Sequence, residues 1–143
     1  MPQTVSVSSH IRRSVEETGS FISDPSTLFA AVSTFNRCRF IESDGDGELW
    51  DVYMDSGTIY LGGRVLITPG PNCLSWRSVR GTRHSFGASV EKDGDGSRLT
   101  LSLTFSASGF AIARISELIG RGLVARNLEA AAQEIRHHLE FEV

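Results

Sequence analysis

The change of pattern between residues 97 and 141 decides the fold. These residues read SRLTLSLTFS ASGFAIARIS ELIGRGLVAR NLEAAAQEIR HHLEF. Apolar and polar residues alternate from Ser97 to Ser106, which is typical of a half-buried strand. From about Phe110 to Phe141 the apolar residues instead recur every three or four positions, which predicts a helical segment. A sheet followed by one late helix must bury its apolar face against that helix, so the sequence predicts a single α+β core.

The closing helical segment is too long to form one straight helix. A continuous helix would be about 46 Å long, whereas a domain of this size is roughly 37 Å across. Gly120 and Gly122 offer a natural break, which predicts a shorter segment followed by a main helix of about 18 residues. We expect the stretch from Gly109 to Gly122 to be a mobile gate and Leu123 to Leu139 to be the fixed core helix.

Upstream of this segment the alternating pattern repeats several times. The predicted strands are Thr4–Ile11, Asn36–Ser43, Glu48–Asp55, Thr58–Thr68, Asn72–Val79, Arg83–Lys92 and Ser97–Ser106. The Asp-Gly-Asp-Gly sequences at 44–47 and 93–96 favour tight hairpins, and residues 68–72 predict a longer, stiffer loop. Because parallel neighbours need long crossovers, these short links predict one seven-stranded antiparallel sheet.

Two short helices are predicted after the first strand. Ser14 and Glu17 have the spacing of a capping box, which starts a helix that ends near Ile22. Asp24-Pro25 is a second start signal, because proline at the first helical position loses no hydrogen bond. The second helix is expected to run from Pro25 to Val32.

Size, charge and composition narrow the class of protein. The chain has 143 residues, 40% hydrophobic and 22% charged, and a net charge of -3; we expect residues 1–143 to form one domain. Nucleic-acid binding is not expected, because phosphate contacts need clustered basic residues. No apolar run has the length of a membrane span or a signal peptide, which predicts a cytoplasmic protein with reduced cysteines. The sequence leaves open whether it is a monomer or a homodimer.

The sequence predicts no metal site and no cofactor. In an EF-hand loop starting at Asp44, the sixth residue would be Leu49 instead of glycine and the twelfth Asp55 instead of glutamate. The four histidines lack the spacing of a zinc motif. Serine-nucleophile and phosphate-cradling motifs are also absent.

The inward face of the sheet is the remaining candidate site. Strand parity and the helix stripe predict a cavity. The expected ligand-binding residues are Trp50, Leu61, Leu74, Trp76, His84, Phe86, Leu103, Phe105, Ile119 and Leu123. His84 is the one titratable group on the apolar side. It is either a strand-end histidine that reaches solvent or a backbone carbonyl, or a polar handle or general base inside the pocket. Asn127 could bond a ligand, bond the backbone or face solvent.

Short phrases along the whole chain resemble one known family. They are residues 14–17 (SVEE), 21–28 (FISDPSTL), 74–77 (LSWR), 97–101 (SRLTL) and 126–129 (RNLE). The chain is similar to the polyketide cyclase/dehydrase and lipid-transport family of the SRPBCC superfamily, which includes START domains and birch-pollen-allergen-like proteins. The resemblance implies a helix-grip fold, in which a seven-stranded sheet grips the C-terminal helix around a cavity.

The resemblance leaves three functions open. The first is binding or transport of a small hydrophobic, lipid-like or polyketide-like ligand. The second is a polyketide cyclase/aromatase or dehydratase, with His84 as the catalytic acid–base candidate. The third is a protein-interaction module of the co-chaperone type, in which side chains fill the pocket.

One departure from the resembled family concerns the cavity. Many of its members have a tryptophan shortly after the Asp-Pro helix start, where this chain has Phe29 and then Phe35. The end of the cavity near the two short helices is therefore expected to differ in shape.

Overall fold

The computed structural model describes residues 3–35, 37–55, 60–106 and 110–141, and of residues 60, 61 and 110–113 it describes the backbone alone. The elements follow the predicted order. They are β1 (Gln3–Ile11), α1 (Val15–Ile22), α2 (Pro25–Ala31), β2 (Arg37–Asp44), β3 (Gly47–Asp55), β4 (Tyr60–Gly70), β5 (Cys73–Gly81), β6 (His84–Asp93), β7 (Gly96–Phe105), α3 (Phe110–Gly120) and α4 (Leu123–Phe141).

Within the described residues, seven strands form one antiparallel sheet. Their order is β1-β7-β6-β5-β4-β3-β2. Strands β2 to β7 pair as consecutive hairpins, and β1 pairs with β7 so that Val5 lies opposite Leu103. This arrangement confirms the predicted α+β, helix-grip architecture.

The hairpin turns explain how the strands stay in register. Gly45 and Gly94 each begin a two-residue turn with a positive φ, 62° and 63°, as a type II′ hairpin requires. The longer loop predicted at 68–72 is wrong, because β4 continues to Gly70 and Pro69 lies opposite Leu74. The pairing of β3 with β4 ends at Ile67. Pro69 lies two residues beyond the end of this pairing, so its missing N–H costs no hydrogen bond to β3.

The helix boundaries follow from local capping. The hydroxyl of Ser14 accepts a hydrogen bond from the backbone N–H of Glu17 at 3.1 Å. Ser14 is therefore the N-cap, and α1 starts at the next residue, Val15. The predicted break in the closing segment is confirmed: α3 ends at Gly120, Gly122 has a φ of 74°, and α4 has 19 residues.

Helix α4 is the element that the sheet grips. Its buried stripe consists of Val124, Leu128, Ala132, Ile135 and Leu139. These side chains pack with the inward residues of the sheet into one core, which burial of apolar area stabilises. None of the helices in the described part of the chain is long and apolar enough to span a membrane.

Polar contacts fasten the C-terminal half of α4 to the elements around it. The Arg13 guanidinium donates to the carbonyl of Leu139 at 2.7 Å, and the backbone N–H of Arg12 donates to the Glu140 carboxylate at 2.8 Å. On the other side, Glu134 accepts from the backbone N–H of Ser33 at 3.0 Å, just after α2.

Candidate ligand-binding site

A small cavity lies between the inner face of the sheet, α2 and α4. Its volume is about 30 Å³, which is room for about one or two water molecules. The side chains around it are mostly apolar. Its lining residues are Leu28, Val32, Phe35, Val52, Met54, Trp76, His84, Phe86, Leu101, Leu103, Val124, Asn127, Leu128, Ala131 and Ile135.

The His84 ring is bonded at both nitrogens within the protein. Its Nε2 accepts a hydrogen bond from the Trp76 indole N–H at 3.1 Å, and its Nδ1 lies 2.7 Å from the carbonyl oxygen of Thr82. Because a carbonyl only accepts and an indole N–H only donates, the proton of the ring is on Nδ1. The ring is therefore a neutral imidazole with a defined tautomer.

Burial keeps the His84 ring neutral. The residue is 7% exposed, and this burial lowers its pKa below the ordinary value of 6.5, although the Thr82 carbonyl favours the charged form. A proton on Nε2 would also set two N–H groups against each other, one from His84 and one from Trp76. The ring thus combines two expectations, since it lines the cavity and also reaches a backbone carbonyl.

An aromatic cluster fills the side of the core nearest α2. Phe29 lies between three other rings, with centroid distances of 5.1 Å to Phe35, 5.2 Å to Trp50 and 5.7 Å to Trp76. Trp76 in turn stacks on Phe86 at 4.3 Å. The Phe35 side chain lines the cavity, and the Phe29 ring packs against it.

Asn127 brings a polar group from α4 to the cavity wall. Its amide nitrogen donates to the carbonyl of Leu123, one turn earlier, at 2.7 Å. The side-chain oxygen accepts no hydrogen bond from the described residues. It is not enclosed either, because no described side-chain nitrogen or oxygen is both buried and unpartnered. The contact with Leu123 fixes the orientation of the amide, since a carbonyl can only pair with the NH₂ group.

The structure brings part of the predicted ligand-binding set together. Four residues line the cavity: Trp76, His84, Phe86 and Leu103. Three are buried in the core without lining it: Trp50, Leu74 and Phe105. Two are half-buried and packed against the core: Ile119 and Leu123. The side chain of Leu61 lies outside the described residues.

The sequence reasoning missed the lining residues of α2 and most of those of α4. Leu28 of α2 and Val32, the residue directly after α2, line the cavity. From α4 it is lined by Val124, Leu128 and Ile135. Helical spacing was a usable signal for Leu128 and Ile135, because it put both in one apolar stripe. That stripe included Leu123, where the structure buries Val124 instead. Which part of that stripe faces a cavity depends on where α4 crosses the sheet, which is a tertiary property.

The sequence of the whole chain fits one known family. A family model described as polyketide cyclase/dehydrase and lipid transport matches residues 2–140. The chain belongs to this family. The description of the polyketide cyclase/dehydrase and lipid transport family covers both enzymes and lipid carriers, so membership does not separate catalysis from binding.

Solved structures of low sequence identity share the fold. TTHA0849 from Thermus thermophilus has a TM-score of 0.80 at 13% identity, with 96% of this chain and 97% of that chain covered. A START superfamily protein from Mycobacterium smegmatis has a TM-score of 0.75 at 16% identity, covering 98% and 99%. The Zhui aromatase/cyclase from Streptomyces sp. R1128 has 0.74 at 12%, covering 99% and 98%. At these identities the likeness establishes the fold alone. No curated protein matches the chain.

Proposed function

We propose that this protein binds a small hydrophobic molecule, lipid-like or polyketide-like, between its sheet and α4. The observation that carries the proposal is an apolar cavity at the centre of the grip with few polar groups in its wall. Such a lining is typical of small-molecule sites, where apolar contacts supply affinity and a few polar groups supply orientation. Membership of a family that includes lipid carriers supports the same function.

Binding requires the walls of the cavity to move apart. The cavity of about 30 Å³ is far smaller than the roughly 300–1,000 Å³ of ordinary ligand sites. The C-terminal half of α4 is a poor candidate for this movement, since Arg12, Arg13 and Glu134 fasten it. We therefore propose that α3, whose described side chains do not line the closed cavity, is the element that moves to let a ligand in.

Helix α3 has the contacts expected of a movable element. Gln3 donates to the hydroxyl of Ser116 at 2.7 Å, in a pair exposed to water, where a hydrogen bond adds little net stability. Among the described side chains of α3, Leu118 alone is buried. The left-handed Gly122 separates α3 from α4 and is a natural hinge, because glycine adopts such angles at low cost. Gly109, the other end of the predicted gate, lies outside the described residues.

Catalysis by His84 is the less favoured alternative. A general base needs a free lone pair within reach of the substrate, and the Nε2 lone pair of His84 is occupied by the Trp76 N–H. The ring could act only after Trp76 moved away. The catalytic role of His84 therefore stays a prediction, and binding is the function that needs no rearrangement of this pair.

Titration with the neutral dye N-phenyl-1-naphthylamine tests the proposal. Ala131 lines the cavity, whereas the neighbouring Ala130 is exposed on the same helix. We expect wild-type protein to bind one dye saturably. Ala131→Leu should weaken binding at least about tenfold, because the added side chain occupies the site. Ala130→Leu should bind like wild type.

Two results would contradict the proposal. One is the absence of saturable binding by folded wild-type protein, which would favour the interaction-module alternative. The other is equal binding by the Ala131→Leu and Ala130→Leu proteins, which would place the dye outside this cavity. Thermal unfolding of each variant verifies that it is folded.

A further inference from the structure

We infer that Asn127 determines ligand specificity and that the molecule bound in the cavity carries a hydroxyl group that donates a hydrogen bond to the Asn127 side-chain oxygen. The inference rests on the proposed function, because it assigns the chemistry of the ligand at that same site. Its basis is the pairing of the polar atoms in the cavity wall.

Most polar atoms of the lining side chains are already paired. The Trp76 N–H is used by His84, and both nitrogens of His84 are engaged, one by Trp76 and one by Thr82. A ligand gains nothing from these groups unless it breaks bonds that the protein already has. The lining residue whose acceptor is unpaired within the described part of the chain is Asn127.

The position of Asn127 on α4 supports this role. It lies three residues after Val124 and four before Ala131, both of which line the cavity, and this spacing places them on one face of the helix. The bond from its NH₂ group to the Leu123 carbonyl orients the amide before any ligand arrives. A preoriented acceptor costs little ordering entropy on binding.

The unpaired oxygen discriminates by the cost of leaving it without a donor. A ligand that covers the Asn127 oxygen keeps water away from it, and an acceptor buried without a partner is unfavourable. A ligand hydroxyl replaces the lost hydrogen bond, whereas an ether or a hydrocarbon of the same shape does not. The second hydrogen of the NH₂ group can also bond a hydroxyl oxygen, which adds to the preference for a hydroxyl over other donors.

A pair of matched probes tests the inference. The probes are 2-naphthol, which donates a hydrogen bond, and 2-methoxynaphthalene, which has a similar apolar body and no donor. The measured quantity is the ratio of the Kd for 2-methoxynaphthalene to the Kd for 2-naphthol. We expect this ratio to fall about tenfold in Asn127→Leu relative to wild type. Comparing ratios removes the difference in hydrophobicity between the two probes.

Gln133→Leu is the matched control, because Gln133 is an exposed amide on the same helix, and its ratio should equal that of wild type. Asn127→Ala provides a second variant with the same expectation if the leucine variant is unstable. Binding of both probes with the same ratio in wild type and in the Asn127 variants would overturn the inference and leave the proposed function standing. Failure of both probes to bind wild type would overturn the proposed function together with the inference.

Discussion

The pairing of His84 with Trp76 couples the protonation of one residue to the packing of the core. Parity placed His84 on the inward face, but its tautomer could not be predicted, because the Trp76 indole meets it only when β5 and β6 pair. Asn127 is a similar case: the sequence left three roles open for it, and the orientation of its amide follows from the fold of α4.

The neutral state of His84 predicts a dependence of stability on pH. Because folding lowers the His84 pKa, the unfolded chain takes up a proton more readily than the folded one. The free energy of unfolding should therefore fall as the pH drops below about 6.5 towards the folded-state pKa, by at most about 1.4 kcal/mol per pH unit. Above pH 6.5 the ring is neutral in both the folded and the unfolded chain, so this loss of stability is absent.

Urea unfolding at pH 7.5 and 5.5 measures this loss. His84→Gln should lose less stability than wild type between the two values, since glutamine can accept from Trp76 and donate to Thr82 without titrating. Three carboxyls also have lowered pKa values: those of Asp51, Asp93 and Glu140. Their ordinary pKa values are 3.8 to 4.5, so they titrate below the range from pH 5.5 to 7.5. An equal loss in wild type and His84→Gln would contradict the assignment.

At the scale of elements, the periodicity of the sequence predicted nearly every boundary. Where the predicted bounds fall on described residues, the strands agree to within two residues, because alternation and Asp-Gly turns are local signals. The predicted starts at Asn36 and Thr58 lie outside the described residues. The loop at 68–72 was mispredicted, since a proline at 69 usually ends a strand. Whether the strand can continue through Pro69 depends on where the pairing of β4 with β3 ends. The sequence around the proline does not indicate that position.

The two glycines near the break between α3 and α4 should respond oppositely to alanine. Gly122 has a φ of 74°, so Gly122→Ala should reduce the free energy of unfolding by about 1 kcal/mol. Gly120 ends α3 without a positive φ, and an added methyl group would meet nothing within 4 Å. Gly120→Ala should therefore increase stability by up to about 1 kcal/mol.

Urea unfolding of the two variants at one pH provides the comparison. Since the glycines are two residues apart, each variant is the control for the other. Equal effects of the same sign would mean that residue 122 is helical in solution and that α3 and α4 form one continuous helix.

At the scale of the whole molecule, the sequence predicted the architecture better than the cavity. One strand, two short helices, further strands and a closing helix leave few ways to bury the apolar faces, so the helix grip followed. The cavity depends on how large side chains from different elements share the interior, and Phe29 and Phe35 occupy much of the space near α2. That residues 1–143 form a single domain and that the protein is cytoplasmic stay predictions.

If the protein binds its ligand as proposed, a small apolar molecule enters the core between the sheet and α4. The most direct test is the measurement of nuclear Overhauser effects between bound N-phenyl-1-naphthylamine and the protein. We expect contacts of the dye with the methyl groups of Leu103, Val124 and Ile135, which line the cavity. Contacts confined to the exposed hydrophobic residues Phe40, Val79 and Phe141 would contradict it, because the dye would then lie on the surface.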